Sequence, residues 1–410
     1  MALAVGVAAG AGIGAAVAVL AAGSPAAHHR SGVAKNPAPA VSAPPTTSAV
    51  AALAAAVTMS PSSGATRVAP DATVTVSAGS GQLTSVTVAT AGGHPLAGSL
   101  DAAGTRWTST GPLAPSSTYR ITAVVTGRSG ATATRVSSFS TLTPTALVGV
   151  GLWPDSGLTV GVGQPIVLTF TQPIITPSAR TGLLSHLHLA MSEPVAVGAY
   201  WFSDYELHLR PRDFWPAHEK IFFSDDLAGW NAGSGEWGQG SGSVSFAIGD
   251  SRISTANLVT HEMTVTLNGK VVATYPISAG NDQYPTMDGT HIVLDRQSVV
   301  RMDSATVGIP VDSPNGYDEL VYWDVHISDS GEYVHAAPWS VGAQGNTNVS
   351  HGCINISPAN AKQFFNFSRV GDVVKVINGP RKPVATDHGV ADWSTAQWSQ
   401  MTPIPVSQQR

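Results

Sequence analysis

The sequence carries little charge and only one cysteine. Lys, Arg, Asp and Glu make up 11% of the 410 residues, and the net charge is -5 at pH 7. The basic surface that nucleic acid binding requires is therefore lacking, and nucleic acid is excluded as a partner. Because Cys353 is the only cysteine, an intramolecular disulfide and a lipid-bearing cysteine near the N-terminus are also excluded.

The N-terminal segment has no charged residue from Ala2 to Gly23, a length that crosses a bilayer at helical rise. It also lacks the positive stretch that normally opens a secretory signal. Residues 1–23 predict an exported protein, with a single membrane anchor and a cleaved signal peptide both left open. Residues 24–57 are rich in Ala and Pro with almost no aromatics. They predict a linker with no core of its own, apart from a helical turn or two from Val50 to Val57.

Two segments after the linker predict immunoglobulin-like domains. Short Thr- and Val-rich alternations are separated by Gly, Pro and Ser clusters, at the spacing of antiparallel sandwiches. We therefore expect one sandwich over residues 58–143 and a second over residues 144–249. The Cys and Trp marks of antibody domains are missing from both.

The C-terminal part has clearer hairpin signals and one short helix. Asn268-Gly269 joins two alternating strands as a type I′ turn would. Ser357-Pro358 begins a helix-compatible stretch with an N-cap and a proline at the first helical position. These signals predict a β-rich domain over residues 250–378. Residues 379–410 are expected to be a tail packed back on that domain.

The single thiol lies in a segment that suggests chemistry. His335 is followed by fourteen residues and then by Ser350-His351-Gly352-Cys353-Ile354-Asn355. A thiol with a pKa of about 8.5 needs a base or an electropositive setting to act as a nucleophile at neutral pH. His335 is the candidate base, since the loop over residues 342–350 is flexible enough to bring the two together. A buried structural thiol is the alternative.

This segment resembles the signature of the L,D-transpeptidase catalytic domain of the YkuD type. In that signature, a His is followed at this spacing by Ser or Thr, then His, Gly, Cys, a variable residue and Asn. The resemblance extends from about Arg252 to Ile377. It implies a mainly β protein in which two immunoglobulin-like β-sandwiches precede a YkuD-type β-rich catalytic domain with a short helix, similar to cell-wall L,D-transpeptidases of high-GC bacteria.

The resemblance also implies roles around the nucleophile. The backbone amides of Gly352 and Cys353, with the hydroxyl of Tyr317, would hold the oxyanion. Gly352 has no Cβ, so the backbone can approach the developing charge closely. The carbonyl group of Ala336 would orient His335, because a base needs a partner for its second ring nitrogen.

The other motif residues have supporting roles in this prediction. His351 and Ser350 would shape the loop by hydrogen bonding, and Asn355 would hold the cysteine turn. Met302 resembles an apolar contact position on the family's substrate lid. Trp339 could form a wall of the same cleft, but the competing prediction, a tryptophan of the core, is favoured.

The implied reaction joins two peptidoglycan stem tetrapeptides. Cys353 would form a thioester with the diaminopimelate carbonyl of the donor and release D-Ala, and the side-chain amine of an acceptor diaminopimelate would resolve it. Acylation by carbapenems is expected. Thioester hydrolysis and transfer to a protein lysine remain open. An envelope-binding protein whose immunoglobulin-like domains carry the function is the alternative from another class.

No cofactor and no metal site is predicted. His186 and His188 would share one face of a strand and could bind a metal with His208. The sequence shows no carboxylate or cysteine cluster that would complete such a site. We expect a monomer that meets the membrane only through its N-terminal segment, with the immunoglobulin-like domains acting as spacers.

Overall fold

The computed structural model describes residues 46–408. The anchor or signal predicted over residues 1–23 and most of the predicted linker lie outside this range. Within it, none of the helices is both long enough and apolar enough to cross a membrane. Three hydrophobic cores follow one another along the chain. The mainly β prediction is confirmed, since most regular elements are strands.

The first domain is a β-sandwich preceded by a short helix. Its sheets have the strand orders β1-β2-β5-β4 and β3-β6-β7. Leu53 of the helix and Val57 lie in the core of the sandwich, so the end of the segment predicted as a linker belongs to this domain. The elements are α1 (Thr47–Ala55), β1 (Val57–Ser60), β2 (Thr75–Ala78), β3 (Gln82–Thr90), β4 (Gly98–Leu100), β5 (Arg106–Ser109), β6 (Thr118–Thr126) and β7 (Thr132–Ser140).

The second domain is a larger sandwich with strands from two parts of the chain. Its two main sheets have the orders β10-β18-β15-β12-β29 and β28-β13-β14-β11-β9, and β16-β17-β8 forms a small third sheet. The elements before the tail are β8 (Leu147–Val148), β9 (Val150–Trp153), β10 (Thr159–Val160), β11 (Ile166–Phe170), α2 (Pro177–Leu183), a 3-10 turn (Leu184–His186), β12 (Leu187–Met191), β13 (Val197–Ser203), β14 (Glu206–Pro211), β15 (Lys220–Asp225), β16 (Asn231–Gly233), β17 (Glu236–Gly238) and β18 (Ser243–Ile248).

The third domain has two sheets and one helix. The sheets have the orders β21-β20-β19-β27-β22 and β23-β24-β25-β26, and buried side chains such as Val265, Val325 and Phe364 form its core. The elements are β19 (Arg252–Asn257), β20 (Glu262–Leu267), β21 (Lys270–Pro276), β22 (Gly289–Ile292), β23 (Asp295–Asp303), a 3-10 turn (Ser304–Val307), β24 (Asp318–Ser328), β25 (Glu332–Ala336), a 3-10 turn (Pro338–Ser340), β26 (Ile354–Ile356), α3 (Pro358–Phe367) and β27 (Val373–Ile377).

The tail contacts two domains, which the sequence did not predict. Its first part packs on the third domain, where Arg381 pairs with Glu332 at 2.8 Å. After a 3-10 turn (Ala391–Trp393) and α4 (Thr395–Trp398), it adds β28 (Thr402–Ile404) and β29 (Val406–Gln408) to the two main sheets of the second domain. The tail therefore contacts the third domain and also contributes two strands to the second domain, which the sequence analysis did not anticipate.

Candidate active site

Two adjacent parallel strands bring His335 and Cys353 to one place. His335 lies on β25, and Cys353 directly precedes β26, with His335 opposite Asn355 in the register. Both His335 and Cys353 line a cavity of about 230 Å³. The loop between the strands therefore returns the chain as the sequence predicts.

The imidazole of His335 is buried and held in one orientation. It is 3% exposed, and its Nδ1 lies 3.0 Å from the carbonyl oxygen of Ala336, the partner named from the sequence. A carbonyl oxygen only accepts, so Nδ1 carries the proton and Nε2 is left as the basic atom. Burial lowers the pKa of His335 to about 4. The ring is therefore neutral at pH 7, with the lone pair of Nε2 free.

The thiol of Cys353 is also neutral at rest. It keeps part of its surface exposed, and its Sγ lies 3.7 Å from the carbonyl oxygen of Gly331. Burial raises the pKa of Cys353 to about 12, although a backbone hydrogen bond from Tyr333 acts in the opposite direction. Any attack by this sulfur therefore requires that its proton be removed during the reaction.

Two hydroxyl groups hold the turn around Cys353. Ser350 Oγ donates to the carbonyl oxygen of Cys353 at 2.6 Å and accepts from the N–H of Gly352 at 3.1 Å. Thr286 Oγ1 donates to the carbonyl oxygen of Gly352 at 2.7 Å. Gly352 has a φ of 130°, a conformation that L side chains rarely adopt. In this structure the N–H of Gly352 donates to Ser350, so its role in holding an oxyanion stays a prediction.

Two further motif residues have contacts that differ from the predicted ones. The side-chain amide of Asn355 donates to Ser340 Oγ at 3.1 Å, so it ties β26 to the Pro338–Ser340 turn and not to the cysteine turn. His351 contacts the rings of Tyr284 and Tyr317, with centroids 4.9 and 5.2 Å away, where hydrogen bonds were expected. His351 therefore supports the cavity wall through aromatic packing.

Three residues predicted for substrate binding do line the cavity. Met302, Tyr317 and Trp339 all contribute to its wall. Trp339 is 54% exposed, so the competing prediction of a core tryptophan is wrong. Its ring centroid lies 6.1 Å from that of His335. An exposed aromatic ring next to a base offers an apolar surface to a substrate.

A second cavity, of about 310 Å³, also reaches Cys353 and contains residues that the sequence analysis missed. Glu332 is 2% exposed and accepts hydrogen bonds from the N–H of Met287 at 2.9 Å and from Arg381 Nη1 at 2.8 Å. Burial raises its pKa to about 7. No local sequence pattern marks the ion pair of Glu332 and Arg381, because Arg381 lies 49 positions further along the chain.

The three histidines considered for a metal site do not come together. His186 ends the 3-10 turn that precedes β12, and its Nδ1 is hydrogen-bonded to the carbonyl oxygen of Asp226. His188 lies on β12 itself. His208 lies on β14, in the other main sheet, with Glu206 and Asp392 as its partners. His186, His188 and His208 therefore do not form a metal-binding group.

The comparisons with known proteins agree on one family. Residues 65–231 match the model of a bacterial Ig domain, and residues 251–376 match the model of the L,D-transpeptidase catalytic domain. L,D-transpeptidase 2 of Mycobacterium tuberculosis (strain CDC 1551 / Oshkosh) is 39% identical over 344 residues, which cover 84% of this chain and 83% of that protein.

Two further matches extend this result. L,D-transpeptidase 5 of Mycobacterium tuberculosis (strain ATCC 25618 / H37Rv) is 30% identical over 359 residues, covering 85% of this chain and 77% of that protein. The solved structure of LD transpeptidase LdtMt1 in complex with imipenem is 34% identical with a TM-score of 0.51, covering 56% of this chain and 100% of its own. The chain therefore belongs to the L,D-transpeptidase family and is an acyltransferase.

Proposed function

We propose that this protein cross-links peptidoglycan by joining two stem peptides through diaminopimelate. The observation that carries the proposal is a cysteine and a neutral histidine that line one cavity, with the cysteine placed where two cavities meet. Cys353 is the nucleophile and His335 is its base. A reaction with a donor and an acceptor needs two spaces that reach one sulfur atom, and this arrangement supplies them.

In the first step, Cys353 attacks the donor carbonyl between diaminopimelate and the terminal D-Ala. Nε2 of His335 takes the thiol proton as the sulfur–carbon bond forms, because the resting thiol has a pKa of about 12. The carbon–nitrogen bond then breaks, the imidazolium gives its proton to the departing amine, and D-Ala leaves. The product is a thioester on Cys353.

The oxyanion of this step needs donors that are not already used. The N–H of Gly352 donates to Ser350, so we assign the oxyanion to the N–H of Cys353 and the hydroxyl of Tyr317. Burial raises the pKa of Tyr317 to about 12. The hydroxyl therefore stays protonated at neutral pH and can donate a hydrogen bond.

In the second step, an acceptor amine replaces the sulfur. The amine attacks the thioester carbonyl, His335 accepts its proton, and the sulfur leaves with a proton returned to it. The second cavity contains buried Glu332, whose Oε2 has no hydrogen-bond partner among the described residues. With a pKa of about 7, Glu332 can take the first proton of an incoming ammonium group, which becomes the neutral amine that attacks, and this supports transfer to an amine over hydrolysis by water.

Product analysis with a defined substrate tests this proposal. Incubation with a disaccharide-tetrapeptide should release D-Ala and yield a dimer linked between two diaminopimelates. Enzyme first treated with meropenem is the matched control and should form neither product. Release of D-Ala with tripeptide as the only other product would contradict the transferase assignment and favour a hydrolase.

We also propose that Cys353 is acylated by carbapenems and that the enzyme works outside the cytoplasmic membrane, anchored or released, with the immunoglobulin-like domains as spacers. The structure of LdtMt1, with 34% identity and a TM-score of 0.51, was solved in complex with imipenem. Peptidoglycan lies outside the membrane, which requires export of an enzyme that acts on it.

The pH dependence of acylation should be unusually flat for a cysteine enzyme. His335 becomes protonated only as the pH falls through about 4, and the thiol ionises only near pH 12. The reactive neutral pair thus persists between these values, so we expect the rate of meropenem acylation to change less than about threefold from pH 5.5 to 8.5. A rate that rises tenfold per pH unit in this range would show that the free thiolate is the reacting species.

A further inference from the structure

A group of ionisable side chains lies where the tail crosses the second domain, and none of its three members lines either cavity at Cys353. Glu206 and His208 come from β14, and His388 comes from the tail. Glu206 Oε1 lies 2.6 Å from His208 Nε2 and 3.0 Å from His388 Nε2. The Nε2 atoms of both imidazoles therefore converge on one carboxylate oxygen.

The other ring nitrogen of each histidine is hydrogen-bonded to a carboxylate of its own. His208 Nδ1 lies 2.7 Å from Asp392 Oδ1, and His388 Nδ1 is hydrogen-bonded to Asp329 Oδ2. In metal sites, a carboxylate on the far nitrogen fixes the tautomer and raises the basicity of the ligating nitrogen. Both histidines have this arrangement, with Nε2 left toward the centre of the group.

Packing restricts both rings further. The ring of Phe202 stacks on His208 and on His388, with centroids 4.9 and 4.1 Å away. His208 is 1% exposed. A ligand that is held in place before binding loses little conformational entropy when the metal binds.

The donor set and its spacing fit zinc. Two imidazole nitrogens and one carboxylate oxygen are a zinc ligand set with bonds of about 2.0–2.2 Å, which places tetrahedral ligand atoms roughly 3.3 Å apart. The three ligand atoms lie within 4.8 Å of one another. Shifts of less than about 1 Å would therefore complete the site.

We propose that Glu206, His208 and His388 bind one zinc ion that ties the tail to the second domain. The three side chains also line a cavity of about 230 Å³ together with Trp153 and Gln164, which leaves room for water or a small anion as a fourth ligand.

Binding of zinc alone tests the proposal. We would use the full chain with Cys353→Ala, so that the thiol cannot contribute a ligand, and measure zinc per chain after dialysis. We expect about one zinc per chain, and at least about 100-fold weaker binding in His388→Gln. His188→Gln is the matched control, since His188 is exposed on β12 outside the group. Full binding in His388→Gln, or none in the parent, would overturn the proposal.

A second variant covers the case in which His388→Gln fails to fold. Asp329 is largely exposed, and Asp329→Asn removes only the carboxylate behind His388. We expect its zinc affinity to fall about 10- to 100-fold. Cobalt in place of zinc should give the visible spectrum of a tetrahedral nitrogen and oxygen site without a thiolate charge-transfer band. Unchanged affinity in Asp329→Asn, or an octahedral cobalt spectrum, would count against the proposed site.

Discussion

Replacing Cys353 with alanine is expected to abolish both the meropenem adduct and the formation of peptidoglycan dimers. The substitution removes the only thiol of the chain, and no other side chain can form the thioester. Removal of a covalent nucleophile typically costs about 10⁴- to 10⁶-fold in rate. Intact-protein mass spectrometry after incubation with meropenem, with chromatography of the muropeptide products, measures both losses.

The alanine variant should keep the fold of the site, which makes the loss interpretable. The turn is held by Ser350 and Thr286, and the sulfur contributes only a weak contact to Gly331 at 3.7 Å. The melting temperature of the variant should therefore match that of the parent within about 2 °C. An adduct on another residue, or dimers formed at the parent rate by a folded variant, would show that Cys353 is not the nucleophile.

Local signals in the sequence predict several elements of the third domain correctly. Asn268 and Gly269 have φ values of 49° and 77°, the positive angles that a type I′ turn requires. Ser357 Oγ accepts a hydrogen bond from the N–H of Asn360 and caps α3, as an N-cap serine before proline indicates. Both features depend on residues next to one another in the chain, so the sequence alone shows them.

Features that depend on distant residues could not be predicted in this way. The strands β28 and β29 have three residues each, too few for an alternation to be visible. They form because sheets of the second domain offer unpaired edges. His208 meets Asp392 across 184 positions, a separation at which spacing rules say nothing about contact.

The candidate site could be predicted only in part, because some of its contacts also join residues that are distant in the sequence. The family signature named His335 and Cys353, and both line one cavity. It did not indicate that the N–H of Gly352 is taken by Ser350, since a turn's hydrogen bonds depend on its dihedral angles. Glu332 and Arg381 were missed because a single buried ion pair between distant residues has no sequence pattern.

The second large loss of activity is expected when His335 is replaced with glutamine. The resting thiol has a pKa of about 12, so a base is needed to remove its proton. Glutamine is close in size to histidine but cannot accept a proton at neutral pH. Loss of a general base commonly costs about 10²- to 10⁴-fold. We expect acylation by meropenem to slow by at least that factor, measured from the loss of the carbapenem absorbance.

His351→Gln is the matched control, since two histidines line the same cavity. His351 packs between tyrosine rings, whereas His335 has its Nδ1 held by the carbonyl of Ala336. Only the second arrangement presents a fixed basic nitrogen. We therefore expect His351→Gln to slow acylation by less than about tenfold. The reverse order of effects would identify His351 as the base.

The pH profile of His335→Gln separates a lost base from a distorted site. With a pKa of about 12, roughly one thiol in 10⁵ is ionised at pH 7, and this fraction rises tenfold with each pH unit. The variant can react only through that fraction, so its acylation rate should climb tenfold per pH unit from pH 7 to 9 while that of the parent stays flat. A flat profile in the variant would mean that another group still removes the proton, and His335 would then be a positioning residue for Cys353.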